Sequence, residues 1–440
     1  MRSPEPLEET TEPPGAFAAL RHRNYAMFWA AGIVSNSGRF FQAVAIPLVV
    51  YDLTGSAAWV GLAGFAQLLP MALLGPLAGA IADRYPRQRI LLLTQTLQAV
   101  SSLLFVALWF GGSRSPTVYV VASIVAGACA GLNLPAWQAF VSELVPRDTL
   151  MSAITLNSAQ FNTARLLGPT LAGIVIAAFG PGWAFLVNAI SYAAVITALL
   201  LIRLDRVAPE PDGPMRPWRE FVGAIGYARS KPGIVTAIAT VTLIGVFGLA
   251  TQMMSVVIAE EVFDRGERGF GEMLSAVGLG AIIASPIVAH LSGRITRSVI
   301  QQGALVLYGS GIIGAGLAPN FRLAQLALLV MGMAHIASAS TLNTAIQLQV
   351  DERVRAKVLS VYLTVLLLAN PLGQLVLGQV IEAIGPQETY VLSGALLLAV
   401  AVALTVTGRL AGLDTEEGAY EPAAAAEAHP STPAPPRRRS

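Results

Sequence analysis

Charge is what this chain most lacks. Asp, Glu, Lys and Arg make up 12% of its 440 residues, about half of the roughly 25% carried by a soluble domain. A water-soluble protein of this length must cover its surface with charge, and here 54% of the residues are hydrophobic. An ordinary cytosolic enzyme is excluded on that ground. Cysteine is nearly absent: Cys129 stands alone, so no disulfide framework can form within the chain. A net charge of +2 leaves no large basic surface for nucleic acid. The histidines His22, His290, His335 and His429 are scattered, and no His-Glu-x-x-His stretch occurs. No metal or other cofactor is expected. No Gly-x-x-x-x-Gly-Lys-(Ser/Thr) loop is present, which argues against direct use of ATP.

Long apolar runs take the place of these features. A helix rises about 1.5 Å per residue and a bilayer core is about 30 Å thick, so a span needs about 20 apolar residues. Twelve such runs lie near 24–50, 57–82, 90–111, 117–143, 151–179, 182–202, 233–261, 270–292, 298–318, 323–348, 357–383 and 388–409. An outer-membrane barrel would show segments of about ten residues with alternating polarity. These runs are continuous, which predicts an all-α integral membrane protein of twelve transmembrane helices.

Short loops bearing Lys and Arg stay in the cytoplasm. With the N-terminus placed inside, the exceptions are few. Arg114, Arg265, Arg268 and Arg322 fall in outside loops, and Arg39 and Arg165 fall within spans. Both termini are therefore predicted to be cytoplasmic, with the protein multi-pass in the cell inner (plasma) membrane. Residues 1–23 carry Glu5, Glu8, Glu9 and Glu12, do not read as a cleaved signal, and are expected to form a cytoplasmic arm. Residues 411–440, rich in Ala, Pro and Glu, bury too little to fold and are expected to form a disordered cytoplasmic tail.

The longest inside loop, 203–232, separates an N-terminal six-helix bundle (24–202) from a C-terminal one (233–410). Pro209, Pro211, Pro214 and Pro217 keep the loop from forming one helix. Trp218, Phe221, Val222 and Ile225 nevertheless follow helical spacing and predict a short amphipathic helix on the inner membrane surface. The two bundles repeat. At a shift of 205 residues, Ala164 matches Ala369, Gly168 matches Gly373, Gly173 matches Gly378, and Gly180-Pro181 matches Gly385-Pro386. At a shift of 210, Pro76 matches Pro286, Arg84 matches Arg294 and Arg87 matches Arg297. Parallel repeats of six spans are the plan of a rocking transporter with its substrate near the midplane.

The loop after the second span reads Gly79-Ala80-Ile81-Ala82-Asp83-Arg84-Tyr85-Pro86-Arg87-Gln88-Arg89. It resembles the major facilitator superfamily signature Gly-x-Leu-Ala-Asp-Arg-x-Gly-Arg-(Arg/Lys), with Pro86 in place of Gly and Gln88 in place of a base. Gly79 allows close helix approach. Asp83, beside Arg84 and Arg87, can form a pair that holds in one orientation of the bundles and breaks in the other. The same charges could also be topogenic only. The fifth span holds Arg165-Leu166-Leu167-Gly168-Pro169-Thr170-Leu171-Ala172-Gly173, which resembles the Gly-Pro motif of the superfamily's antiporters, mostly exporters. Its small residues Ala164, Gly168 and Ala172 also suit plain helix packing. More narrowly the chain, over about 20–408, is similar to the bacterial drug-antiporter-3-like branch, which includes macrolide efflux and enterobactin export proteins. The resemblance implies the major facilitator fold, two pseudo-symmetric six-helix bundles, and a chain that works as a monomer.

An ionisable residue inside a span is costly and is a functional candidate. Arg39 and Arg165 lie near span centres. Many relatives have Gly-Asp where this chain has Gly38-Arg39, and the exchange of acid for base puts proton coupling at that position in doubt. Two cations in one cavity would favour an anionic substrate or an anionic group on a larger one. No acid lies at a midplane. Glu272, Glu382 and His335 are the candidates for proton coupling, each with a plainer role as an interfacial or hydrogen-bonded residue. Gln42, Asn133, Trp137, Asn162, Gln252, His335, Asn343 and Asn370 are candidates for the rest of the cavity wall, or else interhelical contacts.

The expected function is a secondary active transporter: a proton-coupled exporter of a small amphipathic or anionic compound such as a drug, siderophore or secondary metabolite. An uptake transporter or lipid flippase of the same fold is the alternative; a receptor or enzyme fits less well. The expected partners are a small molecule, protons and the lipid bilayer.

Overall fold

The computed structural model describes residues 15–204, 217–350 and 352–415. Among them every regular element is helical, and twelve helices are long and apolar enough to cross a membrane. The first half of the chain contributes α1 (Arg23–Thr54), α2 (Ala57–Ala82), α3 (Arg87–Phe110), α4 (Pro116–Glu143), α5 (Leu150–Phe179) and α6 (Pro181–Leu201). The second contributes α7 (Pro232–Val262), α8 (Gly266–Leu291), α9 (Arg297–Gly316), α10 (Phe321–Gln349), α11 (Glu352–Ile384) and α12 (Pro386–Val406). A separate linker helix, Pro217–Arg229, lies between the halves.

Local chemistry sets the helix ends. Ser56 caps α2 by accepting from Trp59 N at 3.4 Å, and Asn320 caps α10 by accepting from Leu323 N at 3.1 Å, each satisfying an amide left open in a first turn. Proline opens α4, α6, α7 and α12, where its missing N–H costs nothing. Gly180 and Gly385 adopt φ of +88° and +95° immediately before Pro181 and Pro386, a left-handed turn that glycine makes without strain. The sequence repeat at a shift of 205 is thus a repeat of backbone geometry. α7 departs from a plain helix: Ile244–Leu249 and Ile258–Val262 are π-helical.

Alternating spans place both ends of the described chain, the linker helix and the 83–86 loop at one end of the bundle. We call it the basic end, and the opposite one the far end. Within the first half α2 packs on α4, and α1 on α5 and α6; within the second, α8 packs on α10 and α9 on α10 and α12. The halves meet along α2 with α11 and α5 with α8. Glycine permits the close approach. A Cβ at Gly278 of α8 would sit 3.0 Å from the Arg165 carbonyl of α5, and one at Gly61 of α2 would overlap the Gln374 carbonyl of α11.

The periphery differs from the sequence reading in two places. Residues 18–21, within the expected arm, form a turn of 3-10 helix; Ala19 N donates to Ser152 Oγ at 3.1 Å, docking the turn on the start of α5. Residues 409–414 also form a 3-10 turn, so the first residues of the expected tail, 411–414, are part of the fold. Leu413 is fully buried, and Asp414 accepts from Ser298 N at 3.0 Å at the start of α9. In the linker helix Val222 is exposed while Ala228 is buried against the second half. The side chains of Trp218 and Phe221, half of its expected apolar face, lie outside the described residues, as do 1–14, 205–216 and 416–440.

Candidate functional site

A cavity of about 290 Å³, lined by both polar and apolar side chains, lies at mid-depth between the halves. α1 supplies Asn36, Arg39 and Gln42; α3 supplies Gln98 and Ser101; α6 supplies Asn188 and Tyr192. The second half adds only Leu249, Gln252, Met253, Asn370 and Gln374. A second lobe of about 310 Å³ shares Asn36, Arg39 and Phe161 with the first and extends toward the basic end. Asn133, Trp137, Asn157 and Asn162 line it.

The cavity wall is held by hydrogen bonds among buried amides. Asn188 Nδ2 donates to Gln42 Oε1 at 2.7 Å, and Thr94 Oγ1 donates to Asn133 Oδ1 at 2.8 Å. Trp137 Nε1 donates to Asn157 Oδ1 at 3.2 Å, and Gln374 Nε2 donates to Asn370 Oδ1 at 3.0 Å. These networks fix the side chains against an apolar background. Among the described residues Arg39 is the only charged one lining either lobe, and its guanidinium makes no hydrogen bond or ion pair with them.

The structure thus gathers Arg39, Gln42, Gln252 and Asn370 in one lobe and Asn133, Trp137 and Asn162 in the other. Three further candidates sit elsewhere. Arg165 lies on the α5–α8 seam, close enough for its charge to act on Tyr308 and His335 of the second half. Tyr308 OH and His335 Nδ1 stand 3.5 Å apart. Asn343 is bonded to Gln347 on its own helix, near the basic end. Asn36, Gln98, Ser101, Asn188, Tyr192 and Gln374 are lining residues that the sequence reading omits. A signal exists for α3: Gln95, Gln98 and Ser102 fall at helical spacing and put a polar stripe on one face of an apolar span.

Glu272 and Glu382 both lie toward the far end. Glu272 is held inside the second half by Arg268 Nε at 3.1 Å and Gln325 Nε2 at 3.2 Å. Glu382 reaches across the halves: its Oε1 accepts from Ala58 N, at the start of α2, at 3.3 Å. Tyr51 of α1 donates to Glu261 of α7, and Thr170 Oγ1 of α5 donates to Ser275 Oγ of α8 at 2.6 Å. These three side-chain contacts join the two halves in the far-end part of the molecule.

At the basic end, Arg87 Nη1 pairs with Glu143 Oε1 at 2.5 Å, linking α3 to α4 within the first half. Asp83 is exposed and its side chain makes no hydrogen bond. Gln88, in place of a base, donates to the Ile202 carbonyl at 3.0 Å and ties α3 to the end of α6. A Cβ on Gly79 would meet nothing within 4 Å. In α5, Gly168 packs against Phe40 of α1, while Pro169 and Gly173 face Gly271 of α8.

Two six-helix halves about a central cavity define a membrane transporter of the major facilitator fold. A solved nucleoside transporter, NupG, superposes with a TM-score of 0.71 at 14% identity, over 88% of this chain and 99% of that one. The chain belongs to the transmembrane secretion effector family, whose model matches residues 14–429. It is 23% identical over 392 residues to the staphyloferrin A transporter of Staphylococcus aureus, covering 89% of this chain and 98% of that protein. It is 25% identical over 394 residues to the multidrug efflux pump Tap of Mycolicibacterium fortuitum, covering 87% and 95%. The family and these relatives are transporters, and this chain is a multi-pass membrane protein of the same kind.

Proposed function

We propose that this protein is a proton-coupled exporter that works by alternating access and carries a small amphipathic or anionic compound out of the cell across the inner (plasma) membrane. The supporting observation is the cavity at mid-depth, with cross-half hydrogen bonds gathered on its far-end side and a second lobe directed to the basic end. With the basic end in the cytoplasm, the placement that the Lys and Arg distribution favours, this is the orientation that would load substrate from inside. The efflux pump and siderophore transporter among its relatives favour the same direction.

In this reading Asp83, Arg84 and Arg87 form the latch that engages when the basic end closes, and the exposed Asp83 carboxylate is its disengaged state. Gly168, Pro169 and Gly173 let α5 lie against α1 and α8 while the halves rock. Glu382 and His335 are the coupling groups best placed at the boundary between halves. Glu272 is tied within one half, which suits a structural role. The protein functions as a monomer.

The test is transport by the purified chain in proteoliposomes under an imposed pH gradient. Accumulation should follow the gradient and fall in Glu382→Gln or His335→Gln. Accumulation that ignores the gradient in the unaltered chain would remove proton coupling, and flux only in the uptake direction would remove export.

A further inference from the structure

Arg39 sits at mid-depth in a membrane helix with no counter-charge. A lone cation at that depth is costly, and no Asp or Glu lines either lobe to offset it. The surrounding amides are neutral and supply no counter-charge; two of their acceptors are already used, while Gln95 Oε1 in the second lobe has no partner among the described residues. Gln42 Oε1 accepts from Asn188, and Gln98 Oε1 accepts from Tyr192 OH at 3.4 Å. Donors remain open. Among the described residues Asn36 makes no hydrogen bond, and Ser101 Oγ, in a residue only 4% exposed, has no partner. A buried hydroxyl without a partner is uncommon and calls for an explanation.

We propose that Arg39, Ser101 and Asn36 form an oxyanion seat, and that the transported compound is an amphipathic organic anion with a carboxylate, sulfonate or phosphoryl end. A guanidinium fork matches the paired oxygens of these groups, and a serine hydroxyl and an amide N–H₂ can donate to the same end. The rest of the cavity specifies the other end of the compound. Phe40, Leu68, Met71, Phe161 and Met253 form an apolar wall on the same space, suited to an aromatic or branched body of variable shape. One cation matches one negative charge. A neutral analogue would leave the guanidinium unpaired, and a compact inorganic anion would leave the apolar wall wet. This assignment rests on the transporter reading above and narrows its substrate class; it does not depend on the direction of flux.

The experiment uses the full chain in phosphatidylcholine nanodiscs and two probes that share a ring system, 8-anilinonaphthalene-1-sulfonate and the neutral N-phenyl-1-naphthylamine. Binding is measured by isothermal titration calorimetry. The unaltered protein should bind the sulfonate about tenfold more tightly than the amine, the factor expected of one desolvated charged hydrogen-bond pair. Arg39→Ala should erase that preference by weakening the sulfonate and leaving the amine within about twofold. Ser101→Ala should weaken the sulfonate about threefold and spare the amine. If Arg39→Ala is not monodisperse, Arg39→Gln, close in length and neutral, decides in its place with the same expectation. Absence of a sulfonate preference in the unaltered chain, or equal loss of both probes in the neutral variant, overturns the seat. Sulfonate preference combined with uptake in proteoliposomes would keep the seat and discard export, while efflux without the preference would do the reverse.

Discussion

Thr170 on α5 and Ser275 on α8 share a hydrogen bond of 2.6 Å across the line where the two halves of the molecule meet. In an alternating-access cycle this bond would have to break whenever the far end opens. Cysteines at both positions should therefore form a disulfide, since side chains in hydroxyl contact bring their Cβ atoms within bridging range. In a Cys129→Ala background, oxidised Thr170→Cys/Ser275→Cys protein should stop transporting and recover with reductant. Undiminished transport after complete oxidation would mean that this seam does not open during turnover.

The α2–α11 seam predicts a second result. Gly61 lies directly against the Gln374 carbonyl, whereas Gly75 has nothing within 4 Å of its would-be Cβ. Gly61→Leu should force the far end apart and raise labelling of a cysteine placed at Gln67, using a membrane-impermeant maleimide added from outside. Gly75→Leu is the matched control and should leave labelling unchanged. Equal labelling in the two variants would remove the seam as the barrier.

The Arg87–Glu143 pair is about a quarter exposed on both sides, so solvent screening limits its worth to about 1 kcal/mol or less. Glu143→Gln and Arg87→Gln should each lower the melting temperature in detergent. The double variant should cost less than the sum of the two, since the residues touch. Strict additivity would show that the contact contributes nothing.

The turn at 409–414 makes two graded predictions. Leu413→Ala removes a fully buried side chain and should cost about 2–4 kcal/mol. Asp414→Ala removes the carboxylate that caps α9 and should cost about 1 kcal/mol. Chemical denaturation in mixed micelles, reported by tryptophan fluorescence, would rank them. An order reversed from this one would place the turn's contribution in the cap rather than in burial.

Much of the architecture is legible in the sequence because lipid imposes a simple rule: about 20 apolar residues per crossing. The repeat of Gly180-Pro181 and Gly385-Pro386 is legible for the same reason it is structural, since only glycine makes that turn cheaply. Other features leave little trace. The π-helical turns of α7 have no composition of their own. Leu413 is hidden inside a segment whose average is Ala, Pro and Glu, so its burial is lost in the mean. Arg39 and Gln42 stand out because a polar side chain in an apolar run is conspicuous. Ser101 does not, because serine is common in spans and its orphaned hydroxyl is visible only in three dimensions. Arg165, Asn343 and His335 share the same conspicuousness but do not line either lobe, and neither helix rotation nor depth can be supplied by a residue count. The cross-half contacts of Tyr51 and Glu382 depend on how two rigid blocks meet, which no local pattern encodes.

The cavity's polar groups come overwhelmingly from the first six helices, with Gln252, Asn370 and Gln374 the second half's contribution. In the proposed reading, cargo recognition would therefore travel with the first half almost as a cassette. Grafting residues 23–204 onto the second half of a related pump should transplant most of the donor's ligand preference, leaving the recipient to supply little more than the opposing jaw.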